Sequence, residues 1–176
     1  SQLGGVPDII VASPPCTTFS IASCSHHWYP PTKEGLRVPK SDNAIIGLEL
    51  LDKTLELIEL FNPQFWIIEN PRGLMRKMKS LEGINRKTIW YCQYSDLRAK
   101  PTDLWGVWPK SFIPRKECKN HTFKNGVKVS THCTHEVARR GAKTGTQGLK
   151  NNALRSVIPS ELCQDWFNSC KSDFKR

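Results

Sequence analysis

Two short apolar runs, each stopped by proline, bracket a helix-length amphipathic segment, and that arrangement leaves few folds open. Val6-Pro7-Asp8-Ile9-Ile10-Val11-Ala12 ends at Ser13-Pro14-Pro15, where paired prolines remove the donors a strand ladder needs. Phe65-Trp66-Ile67-Ile68 ends at Glu69-Asn70-Pro71 and, apolar at every position, suits a strand buried on both faces. Between them Ile45, Leu48, Leu51, Leu55 and Ile58 recur at intervals of three and four, with Glu49, Asp52, Lys53, Glu56 and Glu59 opposite. Ser41 or Asp42 caps this helix and Asn62-Pro63 stops it. Strand, helix, strand is a βαβ unit, whose strands pair in parallel through a right-handed crossover. Both carboxyl ends then lie on one sheet edge, and Cys16 and Glu69 come out side by side.

Beyond this unit, Lys87-Thr88-Ile89-Trp90-Tyr91-Cys92-Gln93 reads as another strand and Asp103-Leu104-Trp105-Gly106 as a further short one. Thr17 to Ser41 has no apolar period and is rich in His, Pro, Ser and Lys. A long loop of that kind inside a compact domain is usually a binding or active-site loop, or disordered. Pro109 to Leu149 is basic and aperiodic, an appendage rather than a core. Ser160 caps a final helix with Leu162, Trp166, Phe167 and Cys170 on one face. The expected organisation is an α/β core over residues 1–108, a basic loop-rich segment over 109–150, and a carboxy-terminal helix in 151–176 that packs back on the core.

The charge is divided the same way. Residues 1–70 hold 4 Lys and Arg against 8 Asp and Glu, whereas residues 71–176 hold 22 against 8. An acidic half joined to a basic one suits a protein with one face turned to a polyanion. No apolar run approaches a membrane span and no signal-peptide pattern opens the chain, so a cytoplasmic protein without a membrane partner is expected. Seven scattered cysteines suit reduced thiols better than a disulfide framework.

Open parallel sheets bind ligands at the carboxyl ends of their strands. A thiolate placed there beside a carboxylic acid can attack an electron-poor ring carbon while the acid protonates, or hydrogen-bonds, the ring nitrogen that takes up the charge. On a pyrimidine the thiolate adds at C6 and the carboxyl group meets N3. Ser13-Pro14-Pro15-Cys16-Thr17-Thr18-Phe19-Ser20 resembles the Pro-Cys-x-x-Phe-Ser nucleophile motif of the DNA cytosine-5 methyltransferases, and Glu69-Asn70-Pro71 their Glu-Asn-Val motif with Pro for Val. Tyr91 to Lys100 is a looser match to their Gln-x-Arg-x-Arg region, keeping Arg98 and substituting Lys100. With Lys100-Pro101-Thr102-Asp103-Leu104-Trp105 and the glycine-threonine run 141–148, the chain looks most like a short phage or bacterial branch of that family, as in restriction-modification systems.

The resemblance implies the carboxy-terminal portion of a Rossmann-like methyltransferase sheet, with parallel strands and crossover helices. It makes Cys16 the nucleophile on C6, Glu69 the partner of N3, and Arg98 a group that orients the base and favours the thiolate. The methyl group passes from S-adenosylmethionine to C5, with Pro14 and Asn70 beside the cofactor. The cytosine is flipped out of DNA, the loop 17–41 closes over it, and Ser20, Lys100, Arg139, Arg140 and Lys143 touch the nucleic acid. The family's Phe-x-Gly-x-Gly turn and ribose-binding acid do not precede Val11. A missing amino-terminal segment or a second polypeptide is therefore expected to supply the cofactor pocket; otherwise the chain is a nucleic-acid-binding relative that has lost it. An amino-methyltransferase, whose Ser-Pro-Pro-aromatic motif Ser13-Pro14-Pro15 partly matches, and an RNA substrate are the other readings. Cys118, His121, Cys133 and His135 supply enough ligands for a structural zinc in the basic segment. The run 141–148 lacks P-loop spacing.

Overall fold

The computed structural model describes residues 5–21, 23–96, 100–118, 121–125, 127–130 and 152–174. Its helices are α1 (Cys24–His27), α2 (Asp42–Phe61), α3 (Asn152–Ser156) and α4 (Ser160–Asp173). A four-stranded sheet of β1 (Ile9–Ala12), β2 (Phe65–Pro71), β3 (Arg86–Trp90) and β4 (Pro101–Val107) has the spatial order β1, β2, β4, β3. β1 and β2 are parallel, pairing Ile9 with Phe65 through to Ala12 with Ile68, and α2 lies in the connection between them. This is the βαβ unit read from the sequence.

The other half of the sheet departs from the expected parallel arrangement, because β4 runs antiparallel to both β2 and β3. Among its described residues the connection from β3 to β4 holds one 3-10 turn, Tyr91–Tyr94, and it is too short for the crossover that a parallel pair needs. β4 is thus inserted between β2 and β3 and is longer than Asp103–Gly106.

Side chains alternate across β2, which is why an unbroken apolar run was required there. Ile68 on β2 and Trp105 on β4 join Ala44, Leu51 and Ile58 of α2 on one face, whereas Phe65, Ile67 and Leu104 join Leu162, Trp166 and Cys170 of α4 on the other. Full burial of each large apolar side chain contributes about 1.5–3 kcal/mol, so this two-sided core dominates stability. Ser41 is the N-cap of α2, accepting from the Ala44 N–H at 3.3 Å, and Asn62 ends the helix in the left-handed conformation with φ 46°.

Two expected helix faces are corrected. Ile45 is exposed, and Ala44 and Gly47 are buried instead. α2 lies so close to the loop after β1 that a Cβ at Gly47 would come within 2.9 Å of Thr18 Oγ1. On α4, Phe167 is exposed, and Pro159 rather than Ser160 takes the cap position, without a side-chain bond.

The stretch 17–41 is also more ordered than its composition suggested. It contains α1, the Tyr29 N–H donates to the Val38 carbonyl at 3.0 Å, and Trp28 is buried with its indole N–H on the Thr18 carbonyl at 2.8 Å. Within the basic segment, β5 (His121–Lys124) and β6 (Val127–Ser130) form an antiparallel hairpin where a loop was expected. Arg115 anchors α4 to the core, donating to Glu161, to Asp165 at 3.0 Å and to the Gln93 carbonyl at 2.8 Å. No helix among the described residues is long and apolar enough to cross a membrane.

Candidate active site

Cys16 lies in the turn that follows β1, and its carbonyl accepts from the Phe19 N–H at 3.2 Å and the Ser20 N–H at 3.0 Å. That turn is fastened on both sides of the cysteine, once to the end of β2 and once to the 3-10 turn Leu74–Lys77 that follows it. Asn70 Nδ2 donates to the Pro14 carbonyl at 2.9 Å, and the Leu74 N–H donates to the Phe19 carbonyl at 2.7 Å. Glu69 immediately precedes Asn70 and is buried at 6% exposure, while Cys16 is half-buried. Parallel pairing brings the two strand ends together, and these two bonds fix the thiol-bearing turn against the carboxyl-bearing strand.

Gly73 makes the second bond sterically available. A Cβ at this position would run into the Phe19 carbonyl oxygen, a backbone atom with no rotamer to escape through. Gly73→Ala is therefore expected to cost about 2 kcal/mol, lowering the melting temperature by roughly 5 °C. It should also speed alkylation of Cys16 by iodoacetamide as the turn loosens. Unchanged melting and alkylation would show that the turn is held by something else.

The Glu69 carboxyl group is itself held. Tyr91, fully buried, donates its hydroxyl to Glu69 Oε1 at 2.7 Å. Lys100 Nζ sits 4.3 Å from the centre of the Tyr91 ring and donates to the Arg155 carbonyl at 2.9 Å. One register step along the sheet, Asp103 lies opposite Asn70, fully buried. Arg76 pairs with it through two 2.5 Å bonds, and Thr88 donates at 2.7 Å. This hydrogen bonding raises the Arg76 guanidinium above its ordinary value, and the pair leaves the buried Asp103 carboxylate neutralised.

The remaining expected residues divide into those the structure describes and those it does not. Pro14 is buried, Ser20 half-buried with its N–H on Cys16, and Lys100 turned towards Tyr91 and Arg155. Arg98, Arg139, Arg140, Lys143, Cys133 and His135 lie outside the described residues. Cys118 is buried, His121 is in β5, and no group of three or more metal-ligating side chains occurs among the described residues. Sequence reasoning missed Tyr91 and Gly73. Neither carries a local signal, since each matters only through an atom brought across by strand pairing.

No family model matches the chain. It is 32% identical over 170 residues to a protein of Frog virus 3 (isolate Goorha) described as a probable DNA (cytosine-5)-methyltransferase, an alignment covering 93% of this chain and 75% of that relative. Identity of that extent accompanies a strand-end thiol, a buried carboxyl group and the motifs around them. The chain belongs to the DNA (cytosine-5)-methyltransferase family.

Proposed function

We propose that this chain carries the nucleophile and base-binding part of a site that methylates C5 of cytosine in DNA. The observation that carries the reading is the double fastening of the Cys16 turn, by Asn70 at the end of β2 next to Glu69 and by Leu74 just beyond it. A thiolate at Cys16 adds to C6 of the ring while the Glu69 carboxyl group protonates N3, which leaves C5 nucleophilic. Once C5 carries the methyl group, a base removes its proton and the S–C6 bond breaks, restoring the aromatic ring and the thiolate. C5 is stacked inside a duplex, so the cytosine is flipped out to reach this edge. The basic second half of the chain supplies phosphate contacts.

S-adenosylmethionine would supply the methyl group. Pro14 and Asn70 would border its reactive end, and Asn70 Oδ1, buried without a hydrogen-bond partner in the structure, is an acceptor suited to an amino group. The described residues fit that end alone; the sequence before Val11 offers neither the glycine turn nor the ribose-binding acid of the family. Among the described residues β1 is an edge strand, with Val11 54% exposed on it and Phe167 57% exposed on α4. An edge with unpaired backbone groups and apolar flanks is suited to take further strands. This edge is where a segment or second polypeptide carrying the nucleoside pocket would pair.

The test is duplex DNA containing 5-fluorocytosine, offered with S-adenosylmethionine to the protein expressed from its own gene. Fluorine replaces the proton that must leave C5, so the S–C6 bond cannot break and a denaturation-resistant adduct is expected. Failure to form any adduct would overturn the reading.

A further inference from the structure

We infer that Tyr91 is a positioning residue for the reaction, setting which oxygen of Glu69 meets the base; this rests on the proposed methyltransfer. The Tyr91 hydroxyl donates to Glu69 Oε1 at 2.7 Å in a fully buried setting. A carboxylic acid that accepts a hydrogen bond on one oxygen carries its own proton on the other. Tyr91 therefore assigns the transferable proton to Oε2, which gives it to N3 as the S–C6 bond forms and recovers it as that bond breaks. The donation is compatible with both protonation states of Glu69, so it holds the carboxyl group in place throughout the cycle.

Tyr91 is built to stay put. It is the first residue of the 3-10 turn after β3, its N–H is hydrogen-bonded to the Lys100 carbonyl at 3.4 Å, and its own carbonyl accepts from the Asp96 N–H at 3.3 Å. The Lys100 ammonium stands 4.3 Å from the ring centre and is fixed by the Arg155 carbonyl of α3. A cation over a buried aromatic ring adds attraction in a setting where water competes poorly. Lys100 thereby acts on the site through Tyr91, which is a different use of this cation from a phosphate contact.

The experiment is single-turnover adduct formation with the 5-fluorocytosine duplex at saturating DNA, comparing the wild-type protein with Tyr91→Phe. The substitution removes one oxygen and keeps the ring. Adduct formation should slow by about 10- to 100-fold, the cost of a misplaced catalytic group. The Kd for unmodified duplex should stay within about two-fold, and the melting temperature should fall by no more than roughly 4 °C, the loss of one hydrogen bond. An unchanged rate, or a slowing matched by weaker DNA binding or by a larger loss of melting temperature, overturns the inference. A wild-type protein that forms no adduct overturns the methyltransfer reading and this inference with it, whereas an active wild type with an equally fast Tyr91→Phe overturns this inference alone.

Discussion

Cys16→Ser is expected to abolish the covalent adduct with 5-fluorocytosine DNA and to lower methyl transfer by about four orders of magnitude or more. The substitution exchanges sulfur for oxygen in a half-buried side chain and leaves intact the backbone bonds from Phe19 and Ser20 to the Cys16 carbonyl. The turn, the Pro14 and Phe19 fastenings and the carboxyl pocket therefore remain. What is lost is nucleophilicity, since a hydroxyl group gives up its proton far less readily than a thiol and attacks a ring carbon poorly without it. Melting temperature within about 3 °C of wild type and DNA binding within about three-fold would accompany the loss, because neither depends on the sulfur.

The other described thiols provide the control. Cys170 is fully buried in α4, where burial first and the nearby Asp173 second push its thiol up to about 11. Cys118 is buried, Cys163 is exposed on α4, and Cys24 and Cys92 are half-buried. An adduct that survives Cys16→Ser would have to form on one of these or on Cys133, and peptide mapping would identify it. That outcome would sink the assignment of the nucleophile.

The βαβ unit was legible because each of its parts carries a local signal. Apolar runs stopped by Pro15 and Pro71, an amphipathic repeat with Ser41 before it and Asn62 after it, and parallel pairing as the rule for such units were enough to bring the turn that carries Cys16 to the end of the strand that carries Glu69. Strand order was not legible. That β4 inserts between β2 and β3 depends on Leu104 and Trp105 filling opposite faces of the core and on Arg76 neutralising Asp103 across the strand ends. Those are pairings between distant segments, and no window of sequence displays them.

The misplaced helix faces have a packing cause. Gly47 and Ala44, small and weak in any hydrophobic periodicity, line the buried side of α2 because the loop carrying Thr18 and Phe19 presses against it. Ile45 is displaced to the surface as a result. The hairpin of β5 and β6 did leave a signal in Asn125-Gly126, a pair favoured in two-residue turns, and Asn125 has φ 53°. The surrounding basic composition obscured it. Tyr91 was hidden differently: it reads as one more strand aromatic, and its hydroxyl acquires a role only where β3 ends near Glu69.

Gly106→Ala is expected to be the most damaging single-methyl change in the sheet, with a loss of about 3 kcal/mol or more and a melting temperature lower by roughly 6–12 °C. Two penalties fall on the same atom. Gly106 has φ 147°, a conformation that side-chain-bearing residues rarely adopt, and a Cβ there would run into the Trp66 carbonyl oxygen and lie 3.0 Å from the Trp66 ring. Neither can relax cheaply, because Gly106 pairs with Ile67 in the β2–β4 ladder and the Gly106 N–H donates to the Asn85 carbonyl at 3.0 Å. The ladder must open or slide, and two residues further along it Glu69 pairs with Leu104. Thermal unfolding of the purified variant tests the stability loss, and adduct formation well below its melting temperature tests the coupling to the site. A fall of less than about 3 °C would mean that the strand accommodates a methyl group, and the close packing of β2 on β4 would then not be what fixes Glu69. A large fall with an unimpaired adduct rate in the folded fraction would instead separate the ladder's contribution to stability from its contribution to placing the carboxyl group.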